Sequence, residues 1–447
     1  MQKDLTTGSV FKNVLYFSLP YLLSYFLQTL YGMADLFIIG QFEGTASITA
    51  VSIGSQIMHM ITVMLVGLAM GVTVGIGRAV GAHDDRGAGA VIGNAVMLFL
   101  AVSVAMAAVL TALVQPILSM MSTPAEAVPG AAAYLTICFI GIPCITAYNV
   151  LASIFRGMGD SRSPMCFIAA ACVVNIGLDF FFMGALRLGP AGAALGTTLS
   201  QAVSVLLALC VILKRKSIRL SKSDFCPQKA TMKDIFSIGL PVAAQDGFIQ
   251  VSFMLITIMA NQRGLTDAAA VGIVEKIISF LFLVPSSMLS TVSALGAQNI
   301  GAGKYDRVDK ILRYAIAIGV GFGAVMALLM QFIAPSMVRP FTSDEAVVKA
   351  GAAYIRSYIF DCLFAGIQFS FSGYFCAWGR SGLSFLHNTL SILLVRVPGA
   401  WLACRFFPQT LVPMGLAPAC GSLFSSIVCV LLYRWMKRQN KPTGDKD

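Results

Sequence analysis

Charged residues are scarce in this chain. Asp, Glu, Lys and Arg together make up 11% of its 447 residues, whereas 57% of the residues are hydrophobic. Soluble domains carry about 25% charged residues, so a water-facing globular surface is excluded. The apolar residues form long continuous runs rather than short alternating strands, which favours helices over a membrane barrel. The sequence predicts an all-α integral membrane protein.

Catalytic motifs are also missing. The three histidines, His59, His83 and His387, lie far apart, and the chain has no HExxH, GxSxG or phosphate-binding loop pattern. The eleven cysteines are odd in number, lie mostly in apolar runs and lack metal-binding spacing. We therefore expect no enzyme activity, no cofactor and no energy supply from nucleotide hydrolysis. The start of the chain is polar and does not resemble a cleaved signal peptide.

Twelve apolar runs are long enough to span a bilayer as helices. They cover approximately residues 14–40, 48–77, 88–115, 129–155, 164–186, 190–213, 233–260, 268–297, 308–334, 346–376, 383–407 and 412–435. An even number of spans places both termini on one side of the membrane. Of the 31 basic residues, most lie in the termini and in alternate loops, including the linker 214–233. This bias predicts cytoplasmic termini in a bacterial inner membrane, and it explains the basic charge without a nucleic-acid partner.

The two halves of the chain repeat each other. SLP at 18–20 corresponds to GLP at 239–241, RAVGAHDDR at 78–86 to NIGAGKYDR at 299–307, and RGMGDS at 156–161 to CAWGRS at 376–381. We predict two six-helix lobes, 1–220 and 221–447, related by a pseudo-two-fold axis along the membrane normal. Such repeats are typical of transporters that bind substrate near the midplane. Since one chain supplies both halves of a pathway, we expect it to function as a monomer.

Polar residues of three spans in the first half are expected to reach one depth. Asp35 and Asp179 each lie 15 residues after a proline at the cytoplasmic end of a span, which is about 22 Å of helix. Thr197 lies about 10 Å from the opposite end of its span. The remaining polar groups at this level are Asn175, one turn before Asp179, and Tyr31, one turn before Asp35.

Two carboxylates, an amide oxygen and a hydroxyl suit a hard cation such as Na+. Two close carboxylates equally suit a shared proton. A third alternative is a set of separate interhelical hydrogen bonds. We favour an ion site formed by Asp35, Asn175, Asp179, Thr197 and Tyr31, because carboxylates inside a membrane are costly and usually functional.

The second half does not repeat this cluster, but it has other polar groups within its spans. Glu275 is followed by Lys276, and Asp361 lies five residues after Arg356, so local charge pairing is one interpretation. The other is a substrate cavity, to which we assign Gln28, Gln245, Asp246, Glu275 and Asp361.

Several segments together resemble the multidrug and toxic compound extrusion (MATE) family over nearly the whole chain. They are SLPYLLSYFLQTLYGMADLFIIGQF, RAVGAHD, FRGMGDSRSP, NIGLDFFFM, GPAGAALGT and AQNIGAGKYDR. The resemblance implies a secondary antiporter that exports organic, often cationic, compounds in exchange for Na+ or H+. By motif, Asp35 matches the family's aspartate in the first span, and Asn175, Asp179, Thr197 and Tyr31 match its first-lobe cation and proton site.

The pattern is similar to the DinF-like members, because the second-lobe acids of the NorM branch correspond to Ile249 and Ala365 here. One alternative is a lipid or lipid-linked oligosaccharide flippase of the same superfamily, which typically has a cationic cavity. A more distant alternative is an intramembrane enzyme, which would need a nucleophile and a base at one depth.

Overall fold

The computed structural model describes residues 4–215, except the side chain of Arg215, and residues 221–439. The α-helices found there are α1 Val10–Phe42, α2 Thr45–Gly81, α3 Asp85–Ala112, α4 Val114–Met120, α5 Val128–Ile140, α6 Ile142–Gly157, α7 Arg162–Asp179, α8 Gly189–Arg215, α9 Lys229–Asn261, α10 Leu265–Leu281, α11 Leu283–Gly301, α12 Tyr305–Val338, α13 Glu345–Tyr358, α14 Phe360–Ala377, α15 Ser381–Ser391, α16 Val397–Phe406 and α17 Val412–Gln439. Short 3₁₀-helices lie at Lys222–Phe225 and Arg339–Phe341. No strand occurs within the described ranges.

Eleven helical segments in this part of the chain are long and apolar enough to cross a membrane. The bent pair of α5 and α6 completes the twelve predicted spans, with a bend of 48° at Gly141. Pro143 lies in the first turn of α6, and a proline lacks the amide that would continue the hydrogen bonding of a straight helix. The all-helical architecture is confirmed, whereas the sidedness of the termini stays a prediction.

A π-helical segment interrupts the same span in both halves of the chain. In the first half α7 continues into a π-helix at Phe180–Ala185, and in the second half α15 continues into one at Ile392–Arg396. The wider turn of a π-helix rotates the side chains that follow it, and such segments are frequent at functional sites. The first begins immediately after Asp179 and the second ends at Arg396, so each lies beside a buried charge.

The chain divides into two compact units. Unit 1 comprises Met1–Ala243 and Ser293–Arg307, and unit 2 comprises Ala244–Val292 and Val308–Asp447. The first half of α9 belongs to unit 1 because its backbone touches that of α2. A side chain on Gly71 would collide with the carbonyl oxygen of Ile235, and one on Gly239 would collide with that of Leu68. Small residues permit such close helix packing in membranes.

The packing boundary therefore lies at Ala243, further along the chain than the predicted division between 1–220 and 221–447. The predicted division into two six-helix lobes stays a prediction. Residues 216–220 of the predicted basic linker lie outside the described residues. Each unit has its own apolar interior: residues of α2, α3, α6 and α7 form one in unit 1, and residues of α10, α12, α13 and α17 form one in unit 2.

Candidate functional site

Asp35 lies in the interior of unit 1 with only 2% of its surface exposed. The hydroxyl of Thr197 on α8 donates a hydrogen bond of 3.0 Å to its Oδ2 atom. The other carboxylate oxygen, Oδ1, is buried and has no hydrogen-bond partner. This contact joins α1 to α8, and it places two of the residues predicted from depth side by side.

Asp179 and Asn175 lie next to this pair, and both side chains are fully buried. Asn175 Nδ2 lies 3.5 Å from Asp179 Oδ1, one turn along α7. The carboxyl groups of Asp179 and Asp35 also lie within hydrogen-bonding reach of each other. Gly196 on α8 leaves the space for this arrangement, because a side chain there would collide with Asp179 Oδ1. The helices α1, α7 and α8 thus bring four predicted residues into one cluster.

The cluster presents oxygen atoms that have no donor. Asp35 Oδ1, Asp179 Oδ2 and Asn175 Oδ1 are all buried and without a hydrogen-bond partner. Leaving a buried polar atom unpaired costs about 1–3 kcal/mol, and more for a charged group. A hard cation prefers oxygen ligands, and a proton shared between the carboxyl groups would satisfy two of these atoms. No group of three or more His, Cys, Asp or Glu side chains able to hold a metal occurs within the described ranges.

Tyr31 joins the cluster through a residue that the sequence did not single out. Gln201 Nε2 donates a hydrogen bond of 3.2 Å to the Tyr31 hydroxyl, while Gln201 Oε1 is buried and unpaired. Gln201 follows Thr197 by one helical turn, so both side chains lie on the same face of α8. That spacing is the signal by which Gln201 could have been found.

In unit 2, Glu275, Asp361 and Arg396 form a second group of intramembrane charges. Asp361 is fully buried and neither of its carboxylate oxygens has a hydrogen-bond partner. Glu275 accepts a hydrogen bond of 3.0 Å from Thr257, but its Oε1 atom is unpaired. Arg396 donates to the Tyr358 hydroxyl at 3.1 Å and lies 4.6 Å from the ring centre of Phe253.

The local pairings considered for Glu275 and Asp361 are absent among the described residues. Lys276 is exposed, and the Nε atom of Arg356 donates to the carbonyl oxygen of Gln331 instead. Among the residues that the structure describes, Arg396 is the basic side chain whose charge acts on both Glu275 and Asp361.

The other residues assigned to a substrate cavity are not part of either cluster. Gln245 is buried and accepts a hydrogen bond of 2.5 Å from Ser384. Asp246 in unit 2 and Gln28 in unit 1 are half-buried. Their assignment stays a prediction.

Comparison with known proteins identifies the family. The MatE family model matches residues 20–181 and 241–402, which is more than half of the chain and one match in each half. The chain belongs to the MatE family. This MatE protein is 29% identical to the probable multidrug resistance protein YpnP of Bacillus subtilis over 432 residues, 97% of this chain and 96% of that protein. It is 26% identical over 376 residues to the multidrug export protein MepA of Staphylococcus haemolyticus, with 83% of this chain and 82% of that protein covered.

Solved structures confirm the fold of this MatE protein. The crystal structure of a MATE protein in complex with MaL6 has a TM-score of 0.91 and 23% sequence identity, and it covers 97% of this chain and 98% of that one. The outward-facing structure of a multidrug resistance MATE family transporter of the MOP superfamily has a TM-score of 0.90 and 23% identity, with 97% of both chains covered. The division between DinF-like and NorM branches is not decided by these likenesses and stays a prediction.

Proposed function

We propose that this MatE protein is a secondary efflux antiporter that exports organic cationic or amphiphilic compounds by alternating access, in exchange for Na+ or H+. The observation that supports it best is the group of unpaired buried oxygens on Asp35, Asn175 and Asp179. The names of its relatives, multidrug resistance and multidrug export proteins, support efflux over lipid flipping.

Ion binding at this site is proposed to bias the protein between two states. In the ion-free state, the two carboxyl groups of Asp35 and Asp179 lie close together inside the membrane, where an unneutralised charge is costly. A proton or Na+ relieves this repulsion and draws the oxygens of α1, α7 and α8 together. Export is driven only if the ion and the substrate bind the two states with different affinities.

The acids of unit 2 supply a candidate site for the cationic group of the substrate. Glu275 and Asp361 carry two negative charges against the single positive charge of Arg396. One further cation would therefore neutralise the group. Tyr354 and Phe253 lie beside these residues, and aromatic rings attract organic cations through their faces. The flippase alternative would need a surplus of positive charge at this place, which is opposite to the balance of these three residues.

Transport in proteoliposomes tests the proposal. The purified protein is reconstituted, a cationic fluorescent dye is added, and Na+ and H+ gradients are imposed separately. We expect dye accumulation driven by one of the two gradients and abolished by dissipating it with the matching ionophore. Equal accumulation with and without either gradient would contradict the antiport mechanism.

A further inference from the structure

The short stretch Ser293–Arg307 is packed in unit 1, although the chain on both sides of it belongs to unit 2. It contains the C-terminal part of α11 and the turn into α12. Along the chain, this stretch thus enters unit 1 after Val292 and leaves it before Val308.

The first contact is a backbone crossing of α2 and α11. A side chain on Gly81 would collide with the carbonyl oxygen of Gln298, and one on Gly301 would collide with the carbonyl oxygen of Arg78. Gly81 and Gly301 are 220 residues apart, and so are Arg78 and Gln298, which matches the spacing of the sequence repeat. Equivalent residues of the two halves thus meet each other reciprocally, as in a two-fold contact.

The end of α11 is fixed further by a buried side chain. Gln298 is 1% exposed, and its Nε2 atom donates a hydrogen bond of 2.8 Å to the carbonyl oxygen of Gly157 at the end of α6. Glycine lets the helices approach until backbone atoms touch, so a shift of either helix would break this close contact.

The second contact is with the N-terminal residues Asp4–Gly8, which we call the strap. Lys304 Nζ donates to the carbonyl oxygen of Thr6 at 2.9 Å and to its hydroxyl at 3.0 Å. Arg307 donates to the carbonyl oxygens of Gly8 at 3.0 Å and Thr7 at 3.2 Å, and Asn299 donates to that of Leu5 at 3.4 Å.

The strap is also bonded to α1 and within itself. Asn13 on α1 donates to the carbonyl oxygens of Leu5 at 3.3 Å and Thr7 at 2.9 Å, and the Leu5 side chain is only 1% exposed. Asp4 accepts bonds from the amide and hydroxyl of Thr6, which hold the pKa of its carboxyl below the usual range. The strap therefore has a defined shape of its own, while Lys304 and Arg307 hold it through side-chain hydrogen bonds that water can replace.

We propose that the strap and the α2–α11 crossing form one latch, which closes the end of the transport pathway that is predicted to face the cytoplasm and opens once in each transport cycle. The proposal rests on the proposed transport function. In the closed state of the latch the α2–α11 crossing is formed, and in the open state it is broken. The bonds of Asn299, Lys304 and Arg307 to the strap stabilise the closed state. The chain around the latch thereby regulates the balance between closed and open states without contacting the ion site.

Hydrogen exchange and transport by two charge-matched variants test the latch. The double variant Lys304→Ala/Arg307→Ala removes the strap bonds. The control Lys310→Ala/Arg313→Ala removes the same charge from exposed side chains on the next turns of α12. The full-length protein is reconstituted in nanodiscs, and amide exchange is followed by mass spectrometry in the strap, at residues 76–82 and at residues 296–301.

We expect the first variant, but not the control, to raise exchange at least fivefold in the strap and at the crossing, and to lower dye export at least threefold. Faster exchange confined to the strap would overturn the latch, because the strap would then be only a local tie. Unchanged exchange in the strap and at the crossing would also overturn the latch. So would faster exchange in both regions without any change in dye export.

A second pair of variants approaches the latch from the crossing. Gly301→Ala places a methyl group against the Arg78 carbonyl, whereas Gly321→Ala on α12 meets no atom within 4 Å. We expect Gly301→Ala to loosen the strap as the double variant does, and normal protection of the strap in a folded Gly301→Ala protein would contradict the coupling. Hydrogen exchange is measured without any ion gradient, so it tests the latch independently of transport. If the wild-type protein exported no dye, the proposed function would be wrong, and the exchange data would still decide whether the latch exists.

Discussion

The Thr197 hydroxyl donates a hydrogen bond of 3.0 Å to Asp35 Oδ2, although 162 residues separate the two in the chain. Asp35 Oδ1 stays unpaired, as do Asn175 Oδ1 and Asp179 Oδ2 in the same cluster. We therefore propose a role for Thr197 under either coupling ion, because its hydroxyl donates to the carboxylate and also has oxygen lone pairs that a cation can use.

Asp35→Asn and Asp179→Asn are each expected to lower gradient-driven dye export at least about tenfold. The amide cannot exchange a proton and is a weaker ligand than a carboxylate, and a loss of about 1.4 kcal/mol corresponds to a factor of ten. Folding is expected to be retained, because each substitution removes a costly buried charge. Export assays with thermal unfolding measure both effects, with Asp85→Asn, an exposed residue of α3, as the control. If both variants exported dye at the wild-type rate, the coupling site would have to be sought among the acids of unit 2 instead.

Thr197→Val is expected to weaken ion coupling, whereas Thr197→Ser is expected to retain it. Valine has nearly the same shape but no hydroxyl, and a hydrogen bond to a charged group contributes about 1.5–3 kcal/mol. The ion concentration that gives half-maximal export should therefore rise about tenfold or more in the valine variant. Equal curves for the valine and serine variants would show that the hydroxyl plays no part.

Gly196→Ala and Gly177→Ala form a matched pair beside the proposed ion site. A methyl group at Gly196 collides with Asp179 Oδ1, whereas one at Gly177 meets no atom within 4 Å. We expect Gly196→Ala to reduce export at least about tenfold by displacing the carboxylate. Gly177→Ala should preserve export and raise stability by up to about 1 kcal/mol through its helix propensity. The same loss of export in both variants would argue against a shape requirement at Gly196.

Asp361→Asn and Glu275→Gln are expected to weaken the binding of a cationic dye more than that of a neutral dye of similar size. Each substitution removes one of the two negative charges that face Arg396. Lys276→Gln, at an exposed position on the same helix as Glu275, is the control and should leave both affinities unchanged. Fluorescence titration of the purified protein gives these affinities, and an equal loss for the two dyes would rule out charge recognition by these acids.

The sequence alone predicted the helices and the common depth of Asp35, Asn175, Asp179 and Thr197. A helix rises by a fixed length per residue, so the 15-residue spacings from Pro20 to Asp35 and from Pro164 to Asp179 fix depth whatever the packing. Hydrophobic length likewise fixes the spans, and the bent α5–α6 pair coincides with one predicted span because Gly141 and Pro143 bend it without ending it.

Only the tertiary structure decided which side chains pair. Pairing of Asp361 with Arg356 was one of two interpretations of the sequence, but Arg356 donates to Gln331 and Arg396 is the basic neighbour of Asp361 instead. Gln201 reaches Tyr31, and the first half of α9 packs in unit 1 through Gly239. These outcomes depend on how helices rotate and cross and on the π-helical turns beside Asp179 and Arg396. Helix rotation and crossing are set by contacts between residues far apart in the chain, which local spacing does not record.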